Sequence, residues 1–202
     1  MRLVKTPLLL KKLFPNLIWN KSRTEKTVYL TFDDGPTIGI TSWVLNELDK
    51  YNAKATFFCS GKNAELYPNI LMKTIENGHR IGNHTFSHCN AWKTKLSTYL
   101  KDVEHCSKII DTHLFRPPYG KFTPKLIKRL IKKFDIVLWD IISYDFDADV
   151  SAEQCYNNVI NNVENGSIIV FHDSEKAIKN LRAVLPKVLK YLSDNGYKMN
   201  AL

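Results

Sequence analysis

Two adjacent carboxylates, Asp33 and Asp34, stand where an apolar run of the chain ends. Residues 27–32 are mainly β-branched, aromatic or aliphatic, which is typical of a buried strand. Gly35-Pro36 then breaks the strand and allows a ligand to approach the backbone closely. Neighbouring acids repel each other unless a cation lies beside them. The pattern therefore fits either a turn that caps the next helix or a cation-dependent site.

Two imidazoles, His84 and His88, follow about fifty residues later at a spacing of i and i+4. On one helical turn, that spacing brings two side chains close enough to hold one ion. A carboxylate with two imidazoles is a usual ligand set for a catalytic divalent metal with open positions. The alternative is a pair of ordinary surface histidines. The preceding stretch, 78–83, contains two glycines and is typical of a short strand that enters an exposed loop, which favours a site.

Five segments of the chain occur in this order: TFDDGP at 31–36, HTFSH at 84–88, RPPYG at 116–120, residues 139–145, and FHD at 171–173. Together these segments resemble the five motifs of the polysaccharide deacetylase domain, the NodB homology domain of carbohydrate esterase family 4. The resemblance runs from about Thr27 to the C-terminus. It implies an irregular (β/α)7 barrel and a metal-dependent hydrolase that removes the N-acetyl group from an amino sugar.

The resemblance also implies a role for each motif residue. Asp34, His84 and His88 are expected to bind the metal, with Asp33 as the general base and Arg116 supporting it electrostatically. The backbone N–H of Tyr119 is expected to complete the oxyanion pocket. His172 corresponds to the general acid, oriented by Asp145. Asp173 is expected to be a turn or helix-cap residue, with a supporting role at the site left open.

One position departs from the family pattern, because Phe146 follows Asp145 where the motif usually has tryptophan. Phenylalanine still offers an apolar wall for an acetyl methyl group, but it lacks the indole N–H. Val170 is expected to line the same pocket. The departure concerns the identity of the substrate rather than the reaction.

Short apolar runs alternate with amphipathic segments along residues 27–202, which predicts parallel strands and an α/β barrel of about seven units. All five motifs then lie at the carboxyl ends of strands. The predicted helices are 41–51, 62–77, 94–113, 123–133, 151–164 and 176–193. The predicted later strands are 55–59, 80–83, 114–116, 134–139, 167–171 and 197–202.

The composition suits one domain, since 202 residues with 44% hydrophobic content can bury one sizeable core. The formal charge of +9 favours anionic partners. The sequence contains no nucleic-acid-binding motif, so nucleic acid is not expected to be one of them. The four cysteines show no metal-ribbon spacing and are expected to be reduced thiols. Cys89 follows His88 directly, so it is either a structural thiol or a neighbour of the metal.

Residues 1–26 form a basic extension with seven Lys or Arg and one acid, Glu25. Leu8, Leu9 and Leu10 are interrupted by Lys11-Lys12, so the stretch is too short for a secretory or membrane-spanning segment. A cytoplasmic protein is therefore expected unless the natural start has been removed. The extension either packs on the domain through Leu13, Phe14, Leu17, Ile18 and Trp19, or lies at a membrane interface.

The function expected from the sequence is N-deacetylation of an oligosaccharide, a cell-wall glycan, or a lipid- or nucleotide-linked sugar. The alternatives are an O-acetyl esterase, an N-deformylase, or a carbohydrate-binding relative without turnover. Zinc is the expected metal, and cobalt and nickel accept the same ligands. The sequence leaves the oligomeric state open.

Overall fold

The structure, a computed structural model, describes residues 2–202. Its helices are α1 Leu8–Leu13, α2 Thr41–Asp49, α3 Gly61–Leu66, α4 Pro68–Glu76, α5 Leu96–Ser107, α6 Pro124–Leu130, α7 Ala152–Ile160 and α8 Ile178–Asp194. Its strands are β1 Thr27–Asp33, β2 Ala55–Cys59, β3 Arg80–Asn83, β4 Leu114–Phe115, β5 Asp135–Ile136, β6 Ile141–Ile142, β7 Ile168–His172 and β8 Lys198–Met199.

Seven parallel strands curl into an open barrel in the order β5-β4-β3-β2-β1-β7-β6, and β8 pairs with the start of β1. The register aligns Asp33 with Phe58 on one side and with His172 on the other. Because all these strands are parallel, their carboxyl ends meet at one rim. The irregular (β/α)7 architecture predicted from the sequence is confirmed.

Side chains of the central strands alternate between the barrel interior, where Asp33 and Phe58 contact Arg116, and the layer that packs under the helices. In that layer, Phe32 stacks on Phe57 and Phe171, with ring centroids 5.0 and 6.0 Å apart. Helix α8 covers the outside with a fully buried stripe at helical spacing, made of Leu181, Val184, Leu185, Val188, Leu189 and Leu192. Central strands that are apolar on both faces therefore lie between the barrel interior and the helices.

Several predicted elements are shorter or divided. The single helix predicted over 62–77 is two helices, because Pro68 lacks a backbone N–H and begins α4 after the non-helical Tyr67. The helix predicted over 94–113 ends at Ser107. In the strand predicted over 134–139, only Asp135–Ile136 form a ladder with β4, and Val137 forms a single bridge with Ile18. Ladder pairing resumes at β6, against β7 rather than β4.

The N-terminal segment lies against the gap between β5 and β6. Ile18 accepts a hydrogen bond from the N–H of Leu138 and donates one to Ile136, and Thr6 donates to the Asp140 carbonyl. Leu17 and Trp19 are buried. Leu13 does not pack as expected, because α1 turns it outward and leaves it 67% exposed. Within residues 2–202, no helix combines the length and apolar content that crossing a bilayer requires.

A buried carboxylate anchors this segment to the barrel. Asp140 has no exposed side-chain surface, and its two oxygens contact Lys11 Nζ at 2.5 Å and Arg23 Nη2 at 3.0 Å. Burial alone raises a carboxyl pKa, but hydrogen bonds from Lys11, Ser167 and Arg23 outweigh it and lower the pKa of Asp140.

Replacement of Asp140 by alanine should destabilise the fold by about 3 kcal/mol, because it leaves Lys11 without an anion and Arg23 with only the half-exposed Glu164. Urea denaturation of the two proteins measures the difference. The pKa of Asp140 is lower in the folded than in the unfolded protein. Its contribution to the free energy of unfolding is therefore complete above pH 3.8, the ordinary pKa, and is lost as the pH falls through the pKa of the folded protein.

The matched control is Asp194→Ala, which removes an exposed pair with Lys190 and should cost at most about 0.5 kcal/mol. Equal effects of the two substitutions would contradict the role assigned to Asp140.

Candidate active site

The two adjacent carboxylates point in different directions at the end of β1. Asp33 is 4% exposed, and its Oδ1 accepts a hydrogen bond of 2.6 Å from Arg116 Nη1. Asp34 has a backbone φ of 83°, which turns the chain after the strand, and its side chain is 26% exposed toward the two histidines. One carboxylate is thus held inside the barrel and the other faces the rim.

The loop that carries His84 and His88 is irregular rather than helical, which corrects the helical turn expected from their spacing. Thr85 and His88 have positive φ values of 63° and 55°, so no i to i+4 hydrogen-bond pattern forms. The loop is held by Asp102, whose carboxylate accepts the backbone N–H groups of Phe86 and Ser87. This curved backbone, rather than a helix face, brings the two imidazoles together.

The side chains of Asp34, His84 and His88 fit a divalent metal. Each offers one ligand atom, and the three atoms lie within 4.8 Å of one another. Asp34 Oδ1 is 3.0 Å from His88 Nε2 and 3.8 Å from His84 Nε2. An oxygen and two nitrogens at these separations suit an ion bound at about 2.0–2.2 Å from each.

Local contacts prepare His84 for this role. Its Nδ1 lies 2.7 Å from the carbonyl of Arg116, and since a carbonyl only accepts, Nδ1 carries the proton and Nε2 keeps its lone pair. Burial lowers the pKa of His84 to about 4, with His88 and Arg116 acting in the same direction. The imidazole is therefore neutral at pH 7.

The charge on Asp34 is also favoured. Burial alone raises its pKa, but the hydrogen bond from His88 and the nearby His172 and His84 together lower it. The ligand cluster thus combines an ionised carboxylate with a neutral buried imidazole, the protonation states that metal binding requires.

Arg116 holds the other carboxylate and is itself completely buried. Besides Asp33, its guanidinium donates to Thr31 Oγ1 at 2.8 Å and to the carbonyls of Val137 and Leu138 at 3.2 and 3.0 Å. Its planar group lies 4.0 Å over the ring of Phe58. With one Asp33 oxygen engaged by Arg116, Oδ2 lies on the side of the ligand cluster, 4.0 Å from His84 Nε2.

His172 lies at the end of β7, on the other side of Asp33, and is oriented by Asp145. One Asp145 oxygen contacts His172 Nδ1 at 2.8 Å, and the other accepts its backbone N–H at 2.8 Å. Burial alone lowers the pKa of His172, but the charge and hydrogen bond of Asp145 outweigh it, and with Asp34 and Asp33 they raise the pKa to about 9. The ring is protonated at neutral pH.

These groups open into one pocket of about 260 Å³. Its walls include Tyr119, Phe146 and Val170, which were expected there, and Trp139, Ile142, Tyr144 and Lys176, which were not assigned to the site from the sequence. The Phe146 ring packs against His172 with centroids 4.6 Å apart. Trp139 belongs to one of the five motifs, so the signal was available, whereas nothing in the sequence marks Lys176.

The structure shows the contacts of Asp173 and Cys89, whose roles the sequence left open. Asp173 accepts the N–H of Gly35 and the hydroxyl of Thr41, so it supports the Asp33–Asp34 turn, and burial raises its pKa to about 7. A Cβ at Gly35 would lie 2.0 Å from the Asp173 carboxylate, so only glycine fits. Cys89 points to Asp102, with Sγ 3.5 Å from Oδ1, and not to the ligand cluster.

Comparison with known proteins agrees with this geometry. Residues 20–137 match the family model for polysaccharide deacetylase. A peptidoglycan-N-acetylglucosamine deacetylase of Bacillus cereus is 35% identical over 183 residues, which are 87% of this chain and 66% of that protein. The peptidoglycan-N-acetylmuramic acid deacetylase PdaC of Bacillus subtilis is 31% identical over 87% of this chain, but this chain spans only 38% of it.

Solved structures show the same fold. A crystal structure of a peptidoglycan N-acetylglucosamine deacetylase, in complex with a benzamide ligand, superposes with a TM-score of 0.84 at 32% identity, covering 93% of this chain and 91% of that one. The matched model, the identity and the superposition together establish that this chain belongs to the polysaccharide deacetylase family, the NodB homology group of carbohydrate esterase family 4.

Proposed function

We propose that the protein is a metal-dependent hydrolase that removes the N-acetyl group from an amino sugar of a glycan. The observation that carries the proposal is the arrangement around the pocket. A three-residue ligand cluster, a carboxylate fixed by a buried arginine and a protonated histidine fixed by a carboxylate all face one cavity. Named relatives that act on N-acetylated peptidoglycan support the same reaction class.

The metal would be bound by Asp34 Oδ1, His84 Nε2 and His88 Nε2. Once bound, a divalent ion such as zinc supplies a water of lowered pKa and polarises the acetyl carbonyl. Zinc, cobalt and nickel all accept this mixture of oxygen and nitrogen ligands.

Asp33 is assigned the role of general base. Arg116 fixes Oδ1, so Oδ2 is the oxygen that remains to take a proton from the attacking water. Because Arg116 is itself fixed by Thr31 and by two backbone carbonyls, the carboxylate is held in one orientation before the substrate binds. The role of Arg116 is therefore positioning and electrostatic.

His172 is assigned the role of general acid. Asp145 holds Nδ1, which leaves Nε2 to deliver a proton to the departing amine nitrogen. We assign the Tyr119 N–H to the developing oxyanion. Phe146 and Val170 form the apolar wall that would receive the acetyl methyl group.

The same machinery could hydrolyse an O-acetyl ester or an N-formyl group, since both present a carbonyl to the same groups. A carbohydrate-binding relative without turnover is the rival of another class. The complete set of an ordered base, an ordered acid and a ligand cluster favours the enzyme over that rival.

Metal removal should abolish acetate release from N-acetylated oligosaccharides, and zinc or cobalt should restore it. In the reloaded protein, Asp33→Asn should lower kcat by about 10²- to 10⁴-fold, because it removes the base while keeping its shape. Thermal unfolding separately reports the cost of leaving the Arg116 charge without its carboxylate partner. Asp194→Asn, at an exposed and distant carboxylate, is the control. Release by metal-free protein, or by Asp33→Asn at the normal rate, would refute the mechanism.

Asp145→Asn should move the alkaline limb of the profile of kcat against pH to lower pH. His172 must be protonated to act, and its pKa of about 9 depends on Asp145. Without that charge, burial is opposed only by the smaller effects of Asp34 and Asp33, so the limb should move from near pH 9 to lower pH. The pH dependence of kcat measures this. Asp147→Asn, in the same loop but paired with Arg2, should leave the limb in place. An unmoved limb in Asp145→Asn excludes His172 as the acid.

We also propose that α1 contacts an anionic membrane surface. Leu8, Leu9 and Leu13 are 73%, 79% and 67% exposed, and Lys12 is exposed beside them. Leucines with adjacent basic residues suit the interface of a bilayer with negative headgroups.

The double substitution Leu8→Ser with Leu9→Ser should release the protein from sedimenting phosphatidylglycerol vesicles, because each buried leucine contributes about 1.5–3 kcal/mol. Leu66→Ser, which changes a leucine on α3 that is 61% exposed, is the control and should not affect sedimentation. Equal sedimentation of all three proteins would exclude the membrane contact.

A further inference from the structure

We propose that Trp92, Lys121 and Tyr119 form a second sugar-binding subsite, next to the reaction pocket, that accepts a sugar bearing a carboxylate. The inference rests on the proposed function, because it concerns the part of the same glycan that extends out of the pocket.

Trp92 is held in an exposed position. Its side chain is 66% exposed, yet its indole Nε1 donates a hydrogen bond of 2.9 Å to the carbonyl of Phe122. The backbone is fixed as well, because the N–H of Trp92 donates to Asn90 Oδ1 at 2.9 Å. The indole face is therefore presented to solvent in a fixed orientation, so little side-chain entropy is lost when a ligand packs on it.

Lys121 lies between two aromatic rings. Its ammonium is 4.9 Å from the centroid of Trp92 and 5.7 Å from that of Tyr119. Across residues 2–202 no carboxylate lies within ion-pair distance of it. Both rings attract a cation and restrict its position, so less side-chain entropy is lost when an anion binds.

Tyr119 connects this pair to the site of reaction. It is 58% exposed, lines the pocket and packs against His88 with ring centroids 4.7 Å apart. The sequence of groups from the ligand cluster outward is therefore His88, Tyr119, Lys121 and Trp92.

The chemistry of these groups defines the ligand. Aromatic faces pack against the C–H face of a pyranose, and an unpaired ammonium between them binds a carboxylate. Lys176, which also lines the pocket, adds positive charge and likewise has no carboxylate partner in the described part of the chain. An N-acetylated sugar in the pocket, joined to a neighbour that carries a carboxylate, matches this arrangement. A neutral glycan would use the rings but not Lys121.

The test compares two tetrasaccharides with the zinc-loaded protein. One is chitotetraose, which is neutral, and the other alternates N-acetylglucosamine with N-acetylmuramic acid, which carries a carboxylate. Trp92→Ala should raise KM for both by about tenfold, with Trp92→Phe restoring most of the loss. Lys121→Met should raise KM several-fold for the carboxylated glycan only. Lys125→Met, at an exposed lysine on α6, should leave both unchanged.

Calorimetric binding of the same glycans to zinc-loaded Asp33→Asn protein separates this inference from the proposed function. If no glycan is hydrolysed but affinity still falls with Trp92→Ala, and with Lys121→Met for the carboxylated glycan, the subsite stands and the proposed reaction fails. Unchanged KM and affinity in Trp92→Ala would overturn the subsite. A Lys121→Met effect of equal size on the two glycans would overturn its preference for a carboxylate.

Discussion

The ion pair between Arg116 and Asp33 is the interaction on which the site and the barrel both depend. Removing a guanidinium from water costs several kcal/mol, which only a complete set of partners offsets. Arg116 has these partners in a carboxylate, a hydroxyl, two backbone carbonyls and an aromatic face. They come from β1, from β2 and from the segment between β5 and β6. The proposed base is therefore oriented by a contact that also joins these parts of the barrel.

The two backbone carbonyls are available because the sheet is interrupted there. Ladder pairing stops at Ile136 and resumes at Ile141, so the carbonyls of Val137 and Leu138 are free to accept from Arg116. On the same stretch, the N–H of Leu138 donates to Ile18, and the carbonyl of Trp139 accepts from Thr6. The N-terminal segment thus satisfies backbone groups that a regular barrel would pair within its own sheet. Although the family match begins at residue 20, these contacts begin well before it.

How far the sequence predicts this arrangement depends on whether the determining contact is local. The strand ending in Asp33, the order of the motifs and the alternation of strands and helices are local patterns, and they predicted the fold. The division at Pro68 was missed, although the local sequence indicates it, since proline favours the first position of a new helix. Spacing alone gave the wrong conformation for His84 and His88, because the loop geometry is set by Asp102, more than a dozen residues away. The outward turn of Leu13 and the place of Lys176 in the pocket likewise depend on tertiary packing.

The two histidines that face each other across Asp33 show how one residue type is given two roles. His84 is buried and the side chain of His172 is 13% exposed, and burial lowers the pKa of each. The Nδ1 of His84 meets a neutral carbonyl, and the nearby charges of Asp33 and Asp34 do not offset burial, so the pKa is about 4. The Nδ1 of His172 meets the Asp145 carboxylate, which reverses the shift to about 9. The main difference between the two environments is the group at Nδ1, a carbonyl for His84 and a carboxylate for His172, and it separates an imidazole that can donate a lone pair from one that can donate a proton. Environments that drive the pKa values of like groups apart are the means by which a single pocket can hold a ligand and an acid at neutral pH.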